Sequence, residues 1–265
     1  MTNQGAIGVF DSGIGGLTVL KELIARLPGE SFIYFGDTAR VPYGTKSPET
    51  VIKFSRENIS FLLDRGVKLV VVACNTASAA ALPKLQREYA LPVVGVTGPG
   101  VRAAAEQTRN RKIGVIGTAG TIRSDAYQNG IRDLLPDAQV LARACPLFVP
   151  LAEEGWVDNR VAELVAEEYL AEYREAGIDT LVLGCTHYPL LRGVIQRAVG
   201  TQVTLVDSAV ETAKQVVTVL EAEGLGSGKT DGAFTTYLSD IAPSFRRIGE
   251  RFLGTAIPEI KLVSG

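Results

Sequence analysis

Histidine is almost missing from this sequence, which has one, at position 187, in 265 residues. Cysteine is nearly as scarce: three residues, at 74, 145 and 185, with no Cys-x-x-Cys pair among them. One histidine and two distant cysteines make a thin ligand set, so no metal site is expected. An odd, low cysteine count in a chain this long speaks against a disulfide framework and for a reducing compartment with buried or reactive thiols. No cluster of Lys and Arg appears, and the net charge is only −2. Nucleic acid and anionic membrane surfaces are therefore poor partners. No apolar run approaches the roughly 18 residues a membrane span needs. The opening Met1-Thr2-Asn3-Gln4 is polar and has no basic segment leading into an apolar one. The expectation is a cytoplasmic protein without a signal peptide.

What is present is an ordinary globular composition, 46% apolar and 21% charged, in a chain long enough to bury a substantial core as one large or two smaller domains. Short Val/Ile-rich runs recur at Ile7–Phe10, Phe32–Phe35, Leu69–Ala73, Val93–Val96, Ile113–Ile116, Leu181–Leu183 and Val203–Val206. Their continuity suits strands covered on both faces, and amphipathic helical patterns lie between them, so the expected class is α/β with parallel sheets flanked by helices. Ser47-Pro48 reads as an N-cap and first helical residue, with Gly66 as the stop. Asp158 reads as the cap of a helix whose buried stripe is Val161, Val165, Tyr169 and Tyr173. Ser208 with Glu211 reads as a capping box for a helix closed by Gly224.

Two segments repeat. Ile7-Gly8-Val9-Phe10-Asp11-Ser12-Gly13 resembles Ile113-Gly114-Val115-Ile116-Gly117-Thr118-Ala119-Gly120, at an offset of 106 residues. Leu69 to Cys74-Asn75-Thr76 resembles Thr180 to Cys185-Thr186-His187, with the two cysteines 111 residues apart. Similar offsets suggest two related α/β halves. In such folds functional groups gather beyond the carboxyl ends of strands, and Asp11, Asp37, Cys74, Thr118 and Cys185 all follow a strand-like run.

A thiol with an ordinary pKa near 8.5 becomes a usable base at neutral pH when helix N-termini or hydrogen-bond donors stabilise its thiolate. Cys74 and Cys185 both sit where a strand gives way to a helix. The alternatives are two plain core cysteines, or a redox pair that forms a disulfide. Asp11-Ser12-Gly13-Ile14-Gly15-Gly16 is neither a Rossmann fingerprint nor a P-loop. Its glycines allow a close backbone approach, and Asp11 is a helix cap, an acid/base helper, or both. His187, two residues past Cys185, is placed to bond a thiolate. In the loop Gly36–Gly44, Tyr43-Gly44 offers backbone N–H groups to a carboxylate. Glu153 reads as a surface carboxylate and Cys145 as core.

Four motifs together resemble those of the bacterial glutamate racemases, within the cofactor-independent aspartate/glutamate racemase superfamily. They are Asp11–Val19, Gly36–Gly44, Ala73–Ser78 and Gly184–Leu191. The resemblance implies two α/β lobes with the active site between them, the first lobe discontinuous: residues 1–97 with 207–265, against 98–206. It implies no cofactor, L-/D-glutamate as substrate, a homodimer, and a role supplying D-glutamate for peptidoglycan. The acid/base thiols fall on Cys74 and Cys185. Cys74 takes the α-proton from D-glutamate and Cys185 from L-glutamate, with Asp11 assisting near Cys74, and Glu153 and His187 near Cys185. Substrate contacts fall on Asp11, Ser12, Tyr43, Gly44, Asn75, Thr76, Thr118, Thr186 and His187. Only ten residues precede Asp11, so activation through an N-terminal extension is not expected. Aspartate racemisation, or an amino-acid sensor that closes on its ligand, are the rival readings.

Overall fold

A computed structural model of the chain describes residues 5–263; Met1-Thr2-Asn3-Gln4, on which the signal-peptide reading rests, lies outside them. Strand and helix alternate from the start: β1 (Ile7–Asp11), α1 (Leu17–Arg26), β2 (Phe32–Gly36), α2 (Pro48–Leu63), β3 (Leu69–Val72), α3 (Asn75–Glu88), β4 (Val93–Gly95) and α4 (Thr97–Gln107). A second run follows: β5 (Lys112–Gly117), α5 (Ala119–Arg123), α6 (Ala126–Leu134), β6 (Gln139–Ala144), α7 (Phe148–Glu154), α8 (Arg160–Ala176), β7 (Thr180–Gly184), α9 (Arg192–Val199) and β8 (Thr204–Asp207). The remaining elements are α10 (Ser208–Ala222), β9 (Phe234–Leu238), α11 (Phe245–Leu253) and β10 (Ile260–Leu262).

A six-stranded sheet runs β10-β9-β2-β1-β3-β4, and a four-stranded sheet runs β6-β5-β7-β8. All the strand pairings are parallel. Without β9 and β10 the two orders coincide, β2-β1-β3-β4 over β6-β5-β7-β8. The sequence repeat therefore has a structural counterpart: β1 corresponds to β5, and β3, which precedes Cys74, to β7, which precedes Cys185. The first lobe is the six-stranded sheet with its helices; the second is built on the four-stranded sheet. Among the described residues no helix is long and apolar enough to cross a membrane.

β1, β3 and β7 are buried along their whole length. Helices cover both faces, which is why these strands are dominated by apolar residues, β3 without interruption. Each such side chain, fully buried, contributes about 1.5–3 kcal/mol relative to exposure. Three strands fall outside the runs visible in the sequence. β6 is a half-exposed edge strand of the four-stranded sheet containing Gln139 and Arg143, β9 contains two threonines, and β10 has three residues and forms an edge of the six-stranded sheet. An edge strand with one wet face does not need a continuous apolar run.

Several local expectations are corrected. α2 begins as expected, with Ser47 Oγ accepting from Thr50 N and Pro48 in the first turn. α8, however, is capped by Asn159, whose Oδ1 accepts from Ala162 N at 2.9 Å, not by Asp158. Asp158 instead pairs with Arg197. The buried stripe of α8 is Ala162, Ala166, Leu170 and Tyr173, and Val161 is exposed. Small alanines let the helix lie close on its neighbours, and that outweighs burial of the larger valine. Nor does Ser208 cap α10. Asp207 does, accepting from Ala209 N at 2.9 Å, while Ser208 is the first helical residue, its hydroxyl on Leu183 O. A carboxylate at the strand end reaches the free N–H groups first.

Candidate active site

Each half delivers a cysteine by the same route. The chain leaves β3 through Ala73, places Cys74 at the N-cap of α3, and begins the helix at Asn75. It leaves β7 at Gly184 and places Cys185 ahead of a short 3₁₀ turn at Tyr188–Leu191. Both thiols are free and buried, yet both line one enclosed cavity of about 60 Å³ between the lobes. At roughly 10–15 Å³ per water, it holds only a few water molecules. Ser12, Tyr43, Gly44, Asn75, Thr76, Thr118, Glu153, Thr186 and His187 share its wall. Asp11 does not; it lies beneath, 1% exposed, its Oδ2 accepting from Gly13 N at 2.8 Å.

The surroundings of the two thiols differ. Cys185 Sγ is 3.8 Å from His187 Nδ1, and His187 Nε2 is 3.0 Å from Glu153 Oε1. Phe252 of α11 closes the back of the imidazole, edge-on at 5.0 Å. Burial would drive the ring toward neutrality, but hydrogen bonds and charge attraction from Cys185 and Glu153 win, pushing its pKa up to about 10. His187 is thus a cation beside Cys185. Among the described residues no cation stands beside Cys74 in this way. Burial, with the Asp11 carboxylate adding repulsion, pushes it up to about 12, against weaker help from the Ala77 amide and from Ser12, 3.7 Å from Sγ. Asp11 is itself raised, by burial first, opposed by the charge of His187 and by backbone amides.

Several bonds tie the lobes together over this cavity. Thr76 Oγ1 of α3 lies 2.8 Å from Thr118 Oγ1 and 3.3 Å from Thr121 Oγ1, both from the second lobe. Thr18 Oγ1 donates to Thr186 O at 3.0 Å. The Tyr43-Gly44 segment is held from behind by Asp37, which does not line the cavity. Asp37 accepts from Arg40 Nε at 2.7 Å, from Ser239 Oγ at 3.1 Å and from the Tyr43 hydroxyl. Asn58 Nδ2 adds a bond to the Tyr43 hydroxyl at 3.1 Å.

Every sequence-predicted site residue except Asp11 therefore reaches the cavity, and Asp11 underlies it. Glu153, taken from its local sequence for a surface carboxylate, is brought in because α7 passes beside the His187 turn. Cys145 is buried core, its thiol pushed up to about 12 chiefly by burial. Val149 and Thr121 were not singled out from sequence; an apolar residue and a helical threonine give no signal of their own. Among the described residues no group of three or more His, Cys, Asp or Glu side chains is placed to hold a metal ion.

Comparison with known proteins agrees with this geometry. The Asp/Glu/Hydantoin racemase family model matches residues 7–216. The glutamate racemase of Geobacter metallireducens is 59% identical over 260 residues, 98% of this chain and 96% of its own. The crystal structure of a glutamate racemase isoform from Bacillus anthracis superposes with a TM-score of 0.95 at 41% identity, covering 99% of this chain and 98% of that one. The glutamate racemase of Francisella tularensis subsp. tularensis, in complex with D-glutamate, superposes with a TM-score of 0.94 at 40% identity, again over 99% and 98%.

Proposed function

The chain belongs to the Asp/Glu/hydantoin racemase family, and from that premise we propose that it interconverts L- and D-glutamate by two-base proton transfer at Cα. The observation that carries this reading is two buried thiols at equivalent strand ends, facing one small cavity. Substrate and product are mirror images, so one base on each side of Cα serves both directions. The relatives at high identity over nearly the full length are glutamate racemases, and one holds D-glutamate.

In the L-to-D direction Cys185, as thiolate, removes the α-proton. Cys74 delivers its own proton to the opposite face. The C–H bond broken at one face is replaced by one formed at the other, and the negative charge moves from Cys185 to Cys74. The enzyme is then set for D-glutamate, with Cys74 as base. His187 and Glu153 serve the Cys185 side, Asp11 and Ser12 the Cys74 side. The α-proton is very weakly acidic, so carbanion character at Cα needs fixed donors in a closed, water-poor site. The N-terminus of α3, the hydroxyls of Thr76 and Thr118 and the backbone of Tyr43-Gly44 fill that role and hold the carboxylates. Turnover in either direction needs one thiol ionised and the other protonated.

This reading extends to the lobe division, 1–97 with 207–265 against 98–206, supported by the return of β9 and β10 to the first sheet. It also takes in a cytoplasmic homodimer supplying D-glutamate for peptidoglycan. The test is incubation with each enantiomer of glutamate in D₂O without added cofactor, following Cα deuteration and chirality. Exchange accompanied by inversion of both enantiomers is the expected result. Exchange of aspartate but not glutamate would reassign the substrate, and exchange of neither would overturn the proposal.

A further inference from the structure

Asn75 follows Cys74 and is 3% exposed. Its Oδ1 accepts a hydrogen bond of 2.6 Å from the hydroxyl of Tyr127. Its Nδ2 is buried and has no partner among the described residues, although Asn75 lines the cavity between the thiols. A buried N–H without an acceptor carries a desolvation cost that a bound acceptor relieves.

Tyr127 is not a cavity residue. It stands on α6 of the second lobe, is fully buried, and reaches across to Asn75 on the first. Its ring occupies a slot between Gly100 of α4 and Gly184 of β7. A Cβ at Gly100 would come within 3.1 Å of the ring, and one at Gly184 within 3.2 Å. Glycine at both positions leaves the ring this close seat. Gly184 immediately precedes Cys185, so one tyrosine is seated beside one thiol and bonded to the residue that follows the other.

We propose that Tyr127 is a positioning residue: by donating to Asn75 Oδ1 it fixes the amide so that Nδ2 faces a carboxylate of the bound substrate. This rests on the glutamate reading above. The bond joins the two lobes, so the oriented donor exists only while the lobes are together, and carboxylate binding and the closed arrangement favour each other. Tyr127 carries no proton in the reaction. Burial holds its hydroxyl well above the ordinary phenol range, and it stays a donor at neutral pH.

The test compares wild type, Tyr127→Phe, Asn75→Ala and the double variant with both enantiomers of glutamate. Phenylalanine keeps the ring in its slot and removes only the hydroxyl. The expected result is a roughly tenfold rise in KM for both enantiomers, with kcat within about twofold. In the Asn75→Ala background the same substitution has no further effect on KM. A tyrosine that only packs would act equally in both backgrounds, and that result, or an unchanged KM, overturns the inference. If Tyr127→Phe does not fold, Asn75→Asp reads the donor from its other end. Replacing Nδ2 by oxygen must raise KM at least as much as Asn75→Ala does, and an unchanged KM overturns the inference. A wild type that does not racemise glutamate overturns the functional reading instead, so the two failures are distinguishable.

Discussion

At residue scale, burial alone would leave the single histidine neutral, yet His187 is held cationic up to about 10 by Cys185 and Glu153 on its two ring nitrogens. The consequence for stability has a definite sign. The folded pKa lies above the ordinary 6.5, so the contribution is fully present below pH 6.5 and is lost as pH rises through about 10. Cys74 and Cys145 act in the same direction further up: burial holds both near 12, well above an ordinary thiol, so unfolded thiols ionise while folded ones do not. The denaturation midpoint should therefore fall steadily from about pH 6.5 upward. A His187→Asn variant should be nearly flat between about pH 6.5 and 9 and fall only beyond that; profiles of equal slope would contradict the assignment. Cys74, Cys185 and His187 are legible in the sequence because each stands next to a strand end with polar followers. Glu153 is not. Its partner lies 34 residues away, and nothing in its neighbours distinguishes it from a surface glutamate.

At the scale of elements, the segment after β2 matters most. Asp37, fully buried, collects bonds from Arg40, Tyr43 and Ser239. It thereby fixes Tyr43-Gly44 against the second lobe and joins that segment to the end of β9. Asp37→Ala would leave Arg40 Nε and the buried Tyr43 hydroxyl without their acceptor, although the arginine keeps Glu57 and Asn58, and should cost on the order of 3 kcal/mol in chemical denaturation. A loss below about 1 kcal/mol would show that the network does not hold the segment. Across the cleft, a Cβ on Gly44 would lie 2.8 Å from Thr118 Cβ. Gly44→Ala should therefore hold the lobes apart and lower kcat/KM at least tenfold with little change in melting temperature. Unaltered kinetics would mean that the lobes do not need this contact. The sequence shows this loop as a βα connection of mixed polarity. Its role as a contact between lobes is set by partners at Thr118 and Ser239, which only the fold brings near.

At the scale of the whole molecule, the α/β class and the duplication were legible because a parallel strand buried on both faces must be apolar throughout. Seven strands announced themselves in that way. β6 and β10 did not, since an edge strand is wetted on one side and its sequence looks like a loop; β9, though internal, is only partly buried and carries two threonines in its middle. The helix caps at Asn159 and Asp207 were misread by one residue because Asp, Asn and Ser cap about equally well, and the path of the chain into the helix decides which of them arrives first. The duplicated topology places one thiol on each side of a shared cavity, and the central claim is that they act on opposite faces of Cα. The most direct measurement is Cα–H exchange in D₂O with each enantiomer of glutamate for Cys74→Ser and Cys185→Ser. The account predicts that Cys74→Ser exchanges the α-proton of L-glutamate without inversion and leaves D-glutamate untouched, and that Cys185→Ser does the reverse. Exchange of both enantiomers in either variant, or inversion that survives the loss of one thiol, would contradict it.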